Sequence, residues 1–392
     1  MRRIYLDNNA TTRVAPEVLE AMLPCYGEVF GNPSSVHGYG QEAKEALDLA
    51  REQVAALLNS EPNEIVFTGG GTESDNLAIR GVMEAAPGTA RHLVTSQIEH
   101  HAVIHTCQNL EKRGVEVTYL PVGREGVVDP EQVDRALRAD TRLISVMVAN
   151  NETGALQPVR RIGEIARERG VVFHSDAVQA AGKIPLDTAE LGVDLLTISA
   201  HKFHGPKGVG ALFVRKGTRL RPLLYGGGHE RNRRAGTENV PQIVGLGRAA
   251  ELAGKAMDRE GERIGRLRDW FEQEVQRRIP EVSVNGRADS RLCNTSNLRF
   301  AGAEAEGLII NLDLAGVACS TGSACSSGAI EPSHVLTAMG LSPAEAFECL
   351  RFSLSKDTSR EDLGRVLDLL PDLVARQREM SSPEKHAYSM IS

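Results

Sequence analysis

Lys202 stands just past an apolar run, in the stretch LLTISAHKFHGPKG at 195–208. Leu195, Leu196, Thr197 and Ile198 have the composition of a buried strand, and Ser199, Ala200 and His201 lead from it into a loop. An amine beside low-dielectric walls loses part of its preference for the charged form and becomes a nucleophile, as a Schiff-base lysine must. The competing reading is a lysine ending a strand at the surface, its stem along apolar neighbours. Gly69, Gly70 and Gly71 precede Thr72 between a strand pattern at 65–68 and a helical pattern at 73–86. Backbone N–H groups and a helix dipole there favour an anion. The run is neither GxGxxG nor a Walker sequence, so a single phosphate suits it better than a dinucleotide; a plain tight turn is the alternative.

Asp176 ends the apolar run 171–174, with Gln179 three residues on. A carboxylate in that place pairs with a protonated heterocyclic nitrogen or caps a helix. Glu99, His100 and His101 follow the run 93–96, and Asn150 and Asn151 follow 143–148, so four successive strand ends each present a polar group. A histidine so placed can stack on a flat ring and shuttle protons, or simply be polar surface. Cys325 sits in STGSACSSG, where serine and glycine leave a thiol accessible, whereas Cys319 follows Gly316, Val317 and Ala318 as a structural cysteine does. Arg351, in LRFSLS, either takes a substrate carboxylate in its fork or makes an ordinary salt bridge.

These positions need a frame. Strand-length runs at 65–68, 93–96, 117–120, 143–148, 171–174, 195–198 and 210–214 alternate with helical patterns at 73–86, 102–113, 130–137 and 162–169. Such alternation predicts an α/β fold with a mainly parallel sheet covered on both faces, and ligands outside the carboxyl ends of its strands. An amphipathic helix is expected at 41–58 and a long one at 240–278. Beyond it the spacing gives strands at 282–284, 296–300, 317–319 and 350–355 and helices at 304–314 and 360–376. We therefore expect a large domain at 13–257 and a smaller α+β domain at 258–392, with residues 1–12 packing on the second.

The chain has 392 residues, 41% hydrophobic and 25% charged, with a net charge of −7. Its basic clusters are short, which argues against nucleic acid as the main partner. No apolar run approaches the roughly 20 residues of a membrane helix, and MRRIYLDNNATT has no apolar segment behind its basic residues, so a cytoplasmic protein is expected. Six scattered cysteines without a CxxC pair suggest neither a disulfide scaffold nor a zinc site.

Taken together, YLDNNATT, GNPSS, GGTESDNLAI, IEHHAV, ANNETG, HSDAVQ, SAHKFHGPKGVG, RAGTEN, STGSACSSG and LRFSLS stand in order almost end to end. The chain resembles the NifS/IscS-type cysteine desulfurases, pyridoxal-phosphate enzymes of fold type I in the class V aminotransferase family. ANNETG and RRAGTEN lean toward the nitrogen-fixation branch. The resemblance implies pyridoxal 5'-phosphate held covalently by Lys202, Asp176 on the ring nitrogen, Gln179 on the ring hydroxyl and His100 on the ring face. It also implies that Gly71, Thr72, Ser199 and His201 bind the phosphate, with Ala200 beside them and Thr237 reaching in from the other subunit of a homodimer. Asn151 and Arg351 would orient L-cysteine. Cys325 would take the sulfur as a persulfide, leave alanine, and hand the sulfur to an iron–sulfur scaffold or other acceptor protein. Any metal contact of Cys325 would be as a cluster ligand shared with that scaffold. A selenocysteine lyase or an aminotransferase on the same fold is the alternative. The family loop is commonly SSGSACTS, so Thr321 and Ser326 are mild departures, and the tail after Ser381 matches no scaffold-docking ending.

Overall fold

The computed structural model describes residues 3–85, 91–286, 289–321 and 331–381. Its main sheet has seven strands in the spatial order Ile65–Thr68, Gly210–Val214, Leu195–Ser199, Val172–Asp176, Thr141–Ser145, His92–Ser96 and Glu116–Leu120. The last five run parallel, and Gly210–Val214 is antiparallel to both its neighbours. The central strands are apolar or small at nearly every position because helices cover both faces, and Leu195–Ser199 is buried throughout. Only Glu116–Leu120, at the edge, opens with an exposed charged residue.

Two close approaches decide where glycine must stand. A Cβ on Gly210 would lie 2.7 Å from the backbone carbon of Gly70, and one on Gly71 would lie 2.8 Å from Val178 Cγ2. The glycine run therefore lets the helix Gly71–Ala85 start flush against the sheet.

The helix Val240–Arg278 is unbroken for 39 residues. Ile243, Leu246, Ala249 and Ala250 on it join the core beneath the main sheet, while Ile264, Phe271 and Val275 join a second core. That second core also holds Ile4, Leu6, Phe300, Phe352 and Leu370. Around it stand an antiparallel sheet in the order Cys349–Ser353, Thr295–Phe300, Val282–Val284 and a parallel pair joining Ile4–Tyr5 to Val317–Ala318. The expected boundary near Met257 falls inside the long helix.

Several bounds differ from expectation for local reasons. The run 143–148 is a strand only over Thr141–Ser145, after which Val146 and Val148 donate to His174 and Asp176 carbonyls outside the regular ladder. The helix expected at 41–58 begins earlier, at Gly38, because His37 caps it by accepting from Gly40 N. The final helix passes Pro371 and continues to Ser381. Pro16–Met22, His334–Ala338 and Pro343–Ala346 are helices too short to display a hydrophobic period.

Candidate active site

Outside the carboxyl ends of the parallel strands lies a cleft of about 430 Å3. Gly71, Thr72, His100, Asn151, Asp176, Gln179, Ser199, His201, Lys202 and Arg351 all line it. Three of the expected positions do not. Ala200 is fully buried behind the wall with its N–H on the Val209 carbonyl. Thr237 is exposed and away from the cleft of its own chain. Cys325 lies outside the described residues.

Lys202 ends a single turn, Ala200–Lys202, that breaks directly from the strand Leu195–Ser199. Its Nζ donates to the Asn9 carbonyl at 2.6 Å and the Ala10 carbonyl at 2.8 Å. Burial, and then the Arg351 charge, draw the amine down to about 8, so a substantial neutral fraction exists near neutral pH.

Asp176 closes its strand, buried, with Oδ1 accepting from Val178 N at 2.8 Å. The capping reading holds, since the carboxylate caps the following turn, and the residue also lines the cleft. Burial pushes its proton affinity upward against the pull of Val178 N and Lys202, so a cationic partner would hold it ionised. Gln179 donates through Nε2 to the Asn9 carbonyl at 2.9 Å.

His100 caps the helix His101–Glu111 by accepting from Ala102 N through Nδ1 at 3.1 Å. That bond requires an unprotonated Nδ1, and withdrawal from bulk water together with the Lys202 charge holds the ring at about 4. His100 is therefore a neutral ring whose proton sits on Nε2, and it lines the cleft. His201, lowered to about 4 mainly by burial, shares a hydrogen bond of 3.2 Å with Thr11 Oγ1.

Arg351 makes the salt bridge that was one of its expected readings. It donates to Asp7 Oδ1 at 2.7 Å and to the Asn151 carbonyl at 3.0 Å, while its buried Nε has no hydrogen-bond partner among the described residues. Its backbone N–H donates to the Ser320 carbonyl at 2.6 Å, five residues before Cys325 in the sequence. Asn150, expected beside Asn151, is instead fully buried, bonding the Ile98 carbonyl and capping Glu152 and Thr153 N–H groups. Cys319 has its thiol pushed up to about 12 by burial, which suits an inert cysteine.

The residues missed by chemistry-first reading are Asp7, Asn9 and Asp75. Asn9 and Asp7 come from the amino-terminal segment, and only the position of DNN within YLDNNATT signalled them. Asp75, on the inward face of its helix, is buried and lines the cleft, its Oδ1 3.5 Å from His174 Nε2 and without a hydrogen bond among the described residues. Burial and the neighbouring Asp176 charge raise its proton affinity well above that of an ordinary aspartate.

The pattern of the family described as Aminotransferase class-V matches residues 4–366. The chain is 52% identical to the cysteine desulfurase IscS of Dictyoglomus turgidum, over 97% of this chain and 96% of that protein. It is 50% identical to the cysteine desulfurase of Trichormus azollae, over 97% and 95%. Among solved structures, a NifS-like protein superposes with a TM-score of 0.90 at 38% identity, covering 96% of this chain and 100% of that one. SspA in complex with cysteine superposes at 0.80 with 40% identity, covering 90% and 98%.

Proposed function

We propose, for a chain that belongs to the class V aminotransferase family and is a cysteine desulfurase, that Lys202, Asp176 and the Gly71–Thr72 turn hold pyridoxal 5'-phosphate and that Cys325 accepts the sulfur. The residues present suit that group. Gly71 lies where a Cβ would crowd Val178, the start of a 15-residue helix faces the cleft, and Ser199 and His201 flank it. A lysine near pH 8 and a buried carboxylate short of a cation occupy the same cleft. That pairing is the observation carrying the proposal. The bound group would supply an electron sink for the charge left when the substrate's Cα loses its proton.

In this reading Lys202 Nζ, once displaced by the amine of L-cysteine, takes the Cα proton, and the Asn9 and Ala10 carbonyls hold the resulting ammonium. With the cofactor bound, Asp176 would hold the ring nitrogen as an anion, Gln179 would bond the ring hydroxyl, and His100 would cover the ring face and return protons. Asn151 and Arg351 orient the substrate, the unpartnered Nε of Arg351 being suited to its carboxylate. Cys325 Sγ attacks the substrate sulfur as thiolate. A bond between the two sulfurs forms as the substrate's carbon–sulfur bond breaks, the electron pair returns to the carbon skeleton, and that skeleton leaves as alanine after protonation.

Thr237 belongs, in the same proposal, to the phosphate site of the second subunit of a homodimer. Its exposure supports this, as do the exposed Leu23, Tyr26, Phe30 and Tyr39. Residues 13–257 and 258–392 act as two domains, with the first dozen residues on the second. The persulfide serves iron–sulfur cluster assembly in the cytoplasm, and ANNETG and RRAGTEN favour nitrogen fixation as its setting. Selenocysteine lyase and aminotransferase activity are not favoured, since cysteine desulfurases match almost the full length. Incubation with cysteine and a reductant should yield alanine and sulfide, and mass spectrometry should find one added sulfur on Cys325. Sulfide release by Cys325→Ala at the wild-type rate would overturn the assignment of the acceptor.

A further inference from the structure

Lys183 has no part in the chemistry described above. It follows the turn after Asp176 and, among the described residues, enters no ion pair. Its Nζ donates to the backbone oxygen of Gln179 at 2.8 Å and to Gln179 Oε1 at 3.3 Å. At the other end of the same amide, Nε2 donates to the Asn9 carbonyl at 2.9 Å. A lysine ammonium only donates and a backbone carbonyl only accepts, so these two neighbours fix which end of the amide is which. With the oxygen turned toward Lys183 and one N–H on Asn9, the second N–H of Gln179 has no partner among the described residues and is the group the amide offers to the cleft it lines.

We propose that Lys183 is a positioning residue: it orients the Gln179 amide so that the cleft offers an N–H, not a carbonyl, to the ring oxygen of the cofactor. This deepens the preceding reading and rests on it for the identity of that oxygen. A fixed donor there favours the ionised oxygen over the hydroxyl. Burial draws Lys183 down to about 7, the Lys202 charge lowering it further and Cys293 opposing. The other titratable groups on the apolar cavity that Lys183 lines are Glu260, His204 and Lys356. Even uncharged, the amine retains N–H groups for Oε1, so the orientation survives its deprotonation.

The test compares Lys183→Met, Lys183→Arg and Gln179→Ala, each loaded with pyridoxal 5'-phosphate. The readouts are the midpoint of the visible absorbance change with pH, the cofactor dissociation constant and thermal stability. Lys183→Met and Gln179→Ala should both raise the midpoint by about one pH unit and weaken cofactor binding about three- to tenfold, and Lys183→Arg should restore both. If Gln179→Ala moves the midpoint and Lys183→Met lowers only thermal stability, Lys183 is merely structural and the proposal fails while the reading of Gln179 stands. If Gln179→Ala leaves the midpoint unmoved, Gln179 does not face the ring oxygen, and both fail. Should Lys183→Met not fold, Lys183→Ala takes its place with the same expectation.

Discussion

Two buried charged regions of this molecule are built on opposite terms. Arg51 and Glu230 form a bidentate pair at 2.7 and 2.9 Å, 7% exposed each. Every arm is used: Glu230 also accepts from Phe67 N at 3.0 Å, and Arg51 donates to the Ile65 carbonyl and lies over the Phe67 ring. The pair pins a segment in which Glu230, Arg231 and Asn232 all have left-handed φ. Around the cleft, by contrast, Asp75 Oδ1 and Arg351 Nε, and Glu99 Oε2 next to the lining residue His100, are buried without hydrogen-bond partners among the described residues. The Arg51–Glu230 pair closes its hydrogen bonds within the fold, whereas around the cleft atoms are left open and proton affinities move.

The largest effects should come from breaking the open region. Lys202→Ala and Cys325→Ala are each expected to lower alanine and sulfide production by on the order of 10^3-fold or more. Both should keep wild-type denaturation midpoints, as measured by circular dichroism. Breaking the closed region should do the reverse. Arg51→Met is expected to cost about 3–5 kcal/mol in denaturant unfolding by stranding Glu230, and Arg51→Met with Glu230→Met should recover much of it.

The open region also carries a pH signature. Glu99 is raised to about 8, first by burial, with Ser96 Oγ and Met147 N pulling the other way. A carboxyl whose folded value lies above its ordinary 4.5 binds its proton more tightly when folded. Its contribution is therefore whole below about 4.5 and is lost as pH rises to about 8. Glu99→Gln should flatten that decline in stability, and an unchanged slope in urea unfolding across the window would show that Glu99 is ionised. The smallest effect belongs to an exposed pair. Lys44 and Asp48, 54% and 48% exposed, should be worth at most about 0.5 kcal/mol, checked by Lys44→Ala in the same unfolding assay.

The sheet was legible because strands covered on both faces, parallel or not, need nearly continuous apolar runs, and the antiparallel Gly210–Val214 has the bounds its residues suggest. Lys202, Asp176 and His100 could be placed because each directly follows such a run. Their convergence on one cleft was legible only through the rule on strand ends, and the roles of Gly71, Thr72 and Gln179 came from resemblance. Lys183 escaped because a bond to Gln179, four residues away, gives a lysine no signal of its own in the sequence; Asp7 and Asn9 escaped for a different reason. Their importance lies in contacts made across the fold, Arg351 to Asp7 and Gln179 to Asn9, and no local periodicity encodes a partner hundreds of residues away.

The 39-residue helix also limits how this chain can change in length. A helix advances about 1.5 Å and turns about 100° per residue. One residue added near Met257 would turn Ile264, Phe271 and Val275, and the core they share with Phe352, relative to Ile243 and Leu246 beneath the main sheet, and carry Arg351 away from the Asn151 carbonyl. Insertions there can succeed only in near-whole turns, so natural variation in size should collect in surface loops and leave the long helix with a constant residue count.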